Sequence, residues 1–177
     1  MPNNQTGPSV PALASLQISR NGRSGVLGLH HVSVTTSDLD RSLEFYSDLL
    51  GLRLRGKGES NALEMSTITG FEGAHFKWAE LDLGNSQMLE LLEYLTPRGE
   101  RVSQRTADPG SGHIAIAVED IGEIHRRLVQ HGITVRSEPV VIEEPGDWEG
   151  TTTVYVVDPD GFTIELLEQP VARSWEQ

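Results

Sequence analysis

Residues 31–54, HVSVTTSDLDRSLEFYSDLLGLRL, and residues 113–135, HIAIAVEDIGEIHRRLVQHGITV, carry one pattern twice. In each, a His opens a run in which apolar residues alternate with small or polar ones. Asp38 and Asp120 each follow their His by seven positions, and Gly51 and Gly132 follow by twenty and nineteen. The two halves also close alike. MLELLEY contains Glu90, Leu91, Leu92 and Glu93, and TIELLEQ contains Glu165, Leu166, Leu167 and Glu168. One such echo arises by chance, but an ordered series marks an internal repeat.

Periodicity turns the repeat into elements. Alternation in VLGLHHVSVT, residues 26–35, puts Leu29, His31, Ser33 and Thr35 on one strand face and Val32 and Val34 on the other. In HIAIAV, His113, Ala115 and Ala117 oppose Ile114, Ile116 and Val118. Asp38 and Asp120 suit helix N-caps, because a carboxylate there accepts from free backbone N–H groups. Leu39, Leu43, Tyr46 and Leu50 then recur at helical spacing, as do Ile121, Ile124 and Leu128. Gly51 and Gly132 fit the left-handed residue that ends each helix.

Strand candidates follow: Leu52–Leu54, His75–Leu83 and Gln87–Tyr94 in the first half, and Ile133–Val135, Thr151–Val157 and Phe162–Glu168 in the second. Asn85 and the DPDG of Asp158–Gly161 mark turns between strands. The expectation is an α+β protein of two paired βαβββ modules around a shared cup. Its divisions are a Pro-, Asn- and Gly-containing lead-in at 1–25, modules at 26–100 and 108–170, and a tail at 171–177. Within the lead-in, Leu13 to Ile18 has the makings of a short helix or strand.

Composition narrows the partners. Among 177 residues, 14 Lys and Arg face 26 Asp and Glu, for a formal charge of −12. Nucleic-acid affinity rests on cations that displace counterions from phosphates, so that role and anionic membrane surfaces are disfavoured. The chain has no Cys, which removes disulfides, thiolate metal sites and a Cys nucleophile and accords with a cytoplasmic location. No stretch approaches the roughly 18–20 apolar residues of a membrane span, and the N-terminus lacks the basic start and apolar core of a signal peptide. A small-molecule substrate is the expected partner, with a homodimer as an alternative to a site closed within one chain.

The chemistry is concentrated on two strand faces. His31 and His113 lie on first strands, and Glu90 and Glu165 on last strands. Glu90 shares its face with Met88 and Leu92, and Glu165 shares its face with Thr163 and Leu167. A carboxylate on such a face is costly to bury unless it is paired or metal-bound. One His in a strand is usually a hydrogen-bonded core residue, and one Glu an edge charge. Four residues at equivalent places in two repeats instead form a His2Glu2 set, whose N/O donors suit a divalent first-row metal. Glu93 and Glu168 have the opposite parity and are expected at the solvent or rim.

The segments LHHVSVTTSDLDRSLEFYSDLLGLRL, LGNSQMLELLEYLTP, GHIAIAVEDI and YVVDPDGFTIELLEQ resemble the vicinal oxygen chelate superfamily, across roughly Val26 to Gln169. That superfamily includes glyoxalase I, methylmalonyl-CoA epimerase, extradiol dioxygenases and bleomycin-resistance proteins. The resemblance implies metal ligands at His31, Glu90, His113 and Glu165, with Zn, Ni, Co, Mn or Fe as the ion. It implies lyase, isomerase or epimerase chemistry by proton transfer next to a carbonyl, with Glu165 as leading base and Glu90 as second acid/base. Two alternatives accompany it: an Fe(II) extradiol-type dioxygenase on His31, His113 and Glu165, and a small-molecule binding or resistance protein. Where glyoxalase I commonly has a glutathione-binding Arg and Asn, four residues after the first and second ligands, this sequence has Thr35 and Tyr94. The LGNSQMLELLEY segment is closer to methylmalonyl-CoA epimerase-like proteins.

The pocket wall is less determined by pattern. Either Phe76 and Trp78 or His75 and Lys77 line the cup. Trp148 in EEPGDWEGT is a flap or a loop anchor. Arg98, Arg101 and Arg105 either meet an anionic substrate or solvate the connector, and Tyr155 faces substrate or packs in the core. His30 points away from His31 by strand parity, and His125 and His131 belong to a helix and its end.

Overall fold

A computed structural model describes residues 25–103 and 105–170. The body of the lead-in, including Leu13 to Ile18, and the tail at 171–177 lie outside the described residues. The first half contains β1 (Val32–Thr35), α1 (Leu39–Leu43) running on as a π-helix (Glu44–Leu49), β2 (Arg53–Ser60), α2 (Leu63–Thr69), β3 (His75–Gly84) and β4 (Gln87–Thr96). The second contains β5 (His113–Ala117), α3 (Ile121–Gln130), β6 (Val140–Val141), β7 (Thr152–Val157) and β8 (Thr163–Glu168). They form two four-stranded sheets, ordered β1-β4-β3-β2 and β5-β8-β7-β6. In each, the first strand runs parallel to the last and the remaining pairs are antiparallel. The repeat read from the sequence is therefore a repeat of topology, and the α+β two-module expectation holds.

The local rules behave as expected. Asp38 accepts from the Arg41 N–H at 3.0 Å, and Asp120 accepts from the Glu123 N–H at 2.8 Å, so each caps its helix. Gly51 and Gly132 take φ of 88° and 69°, a conformation that costs glycine nothing after a helix.

Three details differ from expectation, the first being that the strand placed at Leu52–Leu54 instead runs over Arg53–Ser60. Of Ile133–Val135, only Val135 bridges the sheet, to Val156, and the edge strand is the two-residue β6. Helix α2 was not foreseen. It buries none of its residues and has no side-chain N-cap, so its sequence carries no amphipathic stripe to announce it.

Each sheet has one apolar face. On the first it presents Val34, Ala79, Leu81, Leu89 and Leu91, and on the second Ile114, Val154, Val156, Ile164 and Leu166. All belong to one core cluster, together with Leu39, Phe45 and Tyr46 from the first helix and Ile121 and Leu128 from α3. The covered faces of both modules thus share a single interior. No described helix is long and apolar enough to cross a membrane.

Polar contacts fasten the modules at the DPDG turn. Asp158 accepts from the backbone N–H groups of Asp160 and Phe162 at 2.9 and 2.7 Å, closing the turn. Its second oxygen accepts the buried Tyr46 hydroxyl at 2.9 Å. Burial and the Asp158 charge push the Tyr46 phenol far up, so it remains a donor. Asp160 accepts from the Thr36 hydroxyl, the Ser37 N–H and hydroxyl, Arg41 and Arg101 at 2.6–3.2 Å. Burial alone would raise its carboxyl. Hydrogen bonds from Ser37, Thr36 and Arg101 outweigh that and hold it well below the usual carboxylate range.

A depressed pKa gives stability that is full above the unfolded-state value, near 4, and is lost as pH falls through the folded-state value. Asp160→Asn should therefore cost about 1–3 kcal/mol at pH 7. The gap from wild type, measured by urea midpoints, should narrow below about pH 4.

Candidate functional site

Sheet register places the expected ligands. His31 stands immediately before β1, and Ser33 pairs with Glu90 on the parallel strand β4. The His31 Nε2 lies 3.7 Å from the Glu90 Oε2. In the second sheet Ala115 pairs with Glu165, and the His113 Nε2 lies 3.1 Å from the Glu165 Oε2. The other Glu165 oxygen accepts the Thr153 hydroxyl at 2.9 Å. Both pairs occupy faces left open by the core. The histidine side chains are 41% and 37% exposed, and the glutamates 27% and 18%.

The four groups do not converge within one chain. Among the described residues, no three His, Asp or Glu side chains come together as a metal-binding group. Within one chain the described donors meet only as two separate pairs, His31 with Glu90 and His113 with Glu165. Both apolar faces turn to the common core, so the two His–Glu faces are left apart.

Side-chain partners refine the sequence reading further. Strand β1 begins at Val32, so alternation does not govern His30. Its Nδ1 sits 2.8 Å from the His31 Nδ1, with the rings nearly perpendicular at 81°. One nitrogen donates to the other, leaving the His31 Nε2 toward Glu90. Glu93 and Glu168 are not rim charges. Glu93 is only 8% exposed, accepts the Leu39 N–H at the start of α1 and pairs with Lys77, each at 3.2 Å. Glu168 accepts the Ile121 N–H of α3 at 2.8 Å. Each ELLE motif therefore sends its first Glu to the open face and its second to a helix start, where a carboxylate satisfies free N–H groups and complements the dipole.

The wall of the first open face is Phe76, Trp78 and Glu80, since β3 pairs them with Tyr94, Leu92 and Glu90. Lys77 turns to the other side. A Cβ at Gly58 would stand 2.8 Å from the Trp78 ring and one at Gly56 would stand 3.8 Å away, so two glycines of β2 let the indole lie against the strand. Glu80 was missed in the sequence, although its parity with Phe76 and Trp78 was the available signal. It faces Glu90 across the ladder and makes no ion pair among the described residues. Tyr155 holds the matching place opposite Glu165 and lies 5.3 Å from the His113 ring, centroid to centroid. Burial, then the Glu165 charge, raises its phenol, so it stays a hydroxyl donor at neutral pH. Trp148 is half exposed in the connection between β6 and β7.

Comparison with known proteins agrees with this architecture. Residues 28–166 match the family described as the glyoxalase/bleomycin resistance protein/dioxygenase superfamily. A 2-epi-5-epi-valiolone epimerase of an Actinomyces species is 32% identical over 165 residues, covering 88% of this chain and 87% of the relative. A lactoylglutathione lyase of Haemophilus influenzae is 31% identical over 147 residues, covering 81% and 94%. Among solved structures, a glyoxalase family protein from Bacillus cereus superposes with a TM-score of 0.72 at 25% identity, covering 82% of this chain and 96% of its own. The trypanothione-dependent glyoxalase I of Leishmania major gives 0.55 at 28% identity, covering 80% and 86%.

The two Glu roles separate experimentally. Glu93→Gln should lower stability by about 1–2 kcal/mol through loss of the charged helix cap and the Lys77 partner, while divalent-metal binding is kept. Glu90→Gln should leave the metal-free protein as stable as wild type or more so, because like charges opposed across strands are relieved. It should also abolish the thermal shift produced by Ni(II) or Zn(II).

Proposed function

The chain belongs to the glyoxalase/bleomycin resistance protein/dioxygenase superfamily, and from that premise we propose a divalent-metal-dependent lyase or epimerase whose site is completed by a second copy. The supporting observation is the His–Glu pair at the same place on each of two open sheet faces. One chain holds two unlike halves of a four-donor set. A two-fold dimer that sets one copy's His31 and Glu90 against His113 and Glu165 of the partner subunit yields two whole sites, as isologous symmetry requires.

The residues fit a metal. Two imidazoles and two carboxylates are the N/O donors that Zn, Ni, Co, Mn or Fe accept. Glu80 and Glu90 stand opposite each other on one face, a like-charge juxtaposition that a cation relieves. His30 supports His31 from behind, in the manner of outer-shell partners that fix a ligand's tautomer. A divalent ion held there supplies positive charge beside a substrate carbonyl, which makes the neighbouring C–H more acidic.

The chain's own groups then move the proton. Glu165, steadied by Thr153, takes it from the carbon next to the carbonyl. A carboxylate on the other side returns one. Glu90 was the expected second acid/base, and Glu80, which need not ligate, is free to share that task. A pair of carboxylates on opposite sides of one carbon is what epimerisation requires. The Tyr155 hydroxyl donates to a substrate oxygen. Thr35 and Tyr94, in place of glutathione-binding residues, favour a carbonyl substrate without that tripeptide, in keeping with the epimerase relative. Ring-cleaving oxygenation and simple sequestration draw no support from the relatives named above. The lack of Cys suits the cytoplasmic location we assign to it.

Mixing variants tests the assembly. His31→Ala and His113→Ala should each bind almost no metal and exchange no substrate α-proton for deuterium in D2O. A heterodimer of the two keeps one intact set, so unfolding and refolding them together should restore up to a quarter of wild-type metal content and deuterium exchange, for random pairing. No recovery in the mixture would place the donors within one chain.

A further inference from the structure

The outer edges of the two sheets are not alike. Strand β2 carries Arg53, Arg55 and Lys57 and a break in register between Leu54 and Gly56, and β6 is only two residues long. Charge, bulge and brevity are the devices by which soluble proteins keep a sheet edge from pairing with another chain. The edges beside the histidines have none of them. Strand β1, VSVT, and strand β5, HIAIA, contain no Lys, Arg, Asp, Glu or Pro, and their ladders run without a register shift.

We propose that these two edges pair between copies of the chain. In this seam β1 and the residues leading into it, 26–31, lie antiparallel along β5 of the partner subunit. The assignment rests on the two-copy site above and adds to it the surface that joins the copies.

Backbone direction supports it. The Thr36 N–H donates to the Leu92 carbonyl, and the Val118 N–H to the Leu167 carbonyl. Strand residues turn their N–H and C=O to alternate sides. Ser33 and Thr35 on β1, and His113, Ala115 and Ala117 on β5, therefore point theirs away from the sheet. Among the described residues no strand lies beyond either edge, so both present rows of donors and acceptors to another chain.

The segment before β1 points the same way. Val26, Leu27 and Leu29 are 90%, 49% and 59% exposed, a run of apolar side chains that one chain leaves in water. Beside β5 there is room for them, because Ala115 and Ala117 are small and exposed. A shared ion fixes the alignment, since two imidazoles on one metal hold their nitrogens within roughly 4 Å of each other. With His31 opposite His113 of the partner subunit, Leu29 and Leu27 fall beside Ala115 of the partner subunit and Ala117 of the partner subunit.

Symmetry closes the assembly. A two-fold axis makes the same seam twice. Both unguarded edges are then covered, and the edges left are the guarded ones of β2 and β6, so pairing stops at two copies.

Sedimentation equilibrium of the full-length chain, with chelator present, measures the dimer dissociation constant. Ala115→Pro removes an outward N–H and no bond to β8, so it should keep the wild-type circular dichroism and weaken the dimer roughly tenfold or more. Because the chain has no Cys, Leu29→Cys combined with Ala115→Cys gives a second reading that does not depend on accommodating a proline. Mild oxidation should convert that chain to a covalent dimer on a non-reducing gel. An unchanged dissociation constant in folded Ala115→Pro, or a doubly substituted chain that oxidises only within itself or not at all, would overturn the seam while the two-copy metal site stands. Sedimentation as a monomer both with and without Ni(II) would overturn the two together.

Discussion

Burial of one apolar face per sheet is the constraint from which the rest follows. A four-stranded sheet with Val34, Leu81, Leu89 and Leu91 on one side must cover that side, and removal of such surface from water is the dominant stabilising term. Here the two modules cover each other through the helices they carry, so a single interior holds residues from both. Parity then decides function. Side chains alternate along a strand, so the faces opposite the core are committed to solvent or to a partner. Those faces hold His31, Glu90, His113 and Glu165. The packing that stabilises one chain also puts its two His–Glu pairs on separate sheets.

The DPDG turn shows how a local motif acquires a long-range role. Its Asp158 closes the turn and also takes the Tyr46 hydroxyl. Asp160, two residues on, gathers donors from the loop after β1 and from the connector. That contact sets the first open face beside the connector arginines, so the latch between modules also shapes a cavity next to the half-site. Fold stability and the shape of that cavity thereby meet at one carboxylate.

Much of this was legible in residues alone. The repeat predicted both caps, both terminal glycines and the strand faces of His31, Glu90, His113 and Glu165, because each follows from spacing within one element. What escaped depends on contacts between elements. The parity of Glu93 and Glu168 was read correctly, but their destinations at helix starts need the helix laid across the sheet. His30 was misplaced because the strand starts two residues later, where alternation takes hold. Glu80 needed the register of β3 with β4. Helix α2 buries none of its residues fully and so left no stripe. The packing of the two modules through their helices is a choice between faces that alternation cannot make.

The central claim is that one divalent ion draws an imidazole from each module. X-ray absorption of the Co(II)-loaded protein, with one ion per chain, measures this directly through imidazole multiple scattering. Two imidazoles per cobalt, with oxygen donors completing the shell, are predicted. A shell with one imidazole, or with none, would contradict the account by leaving each His–Glu pair as an isolated contact.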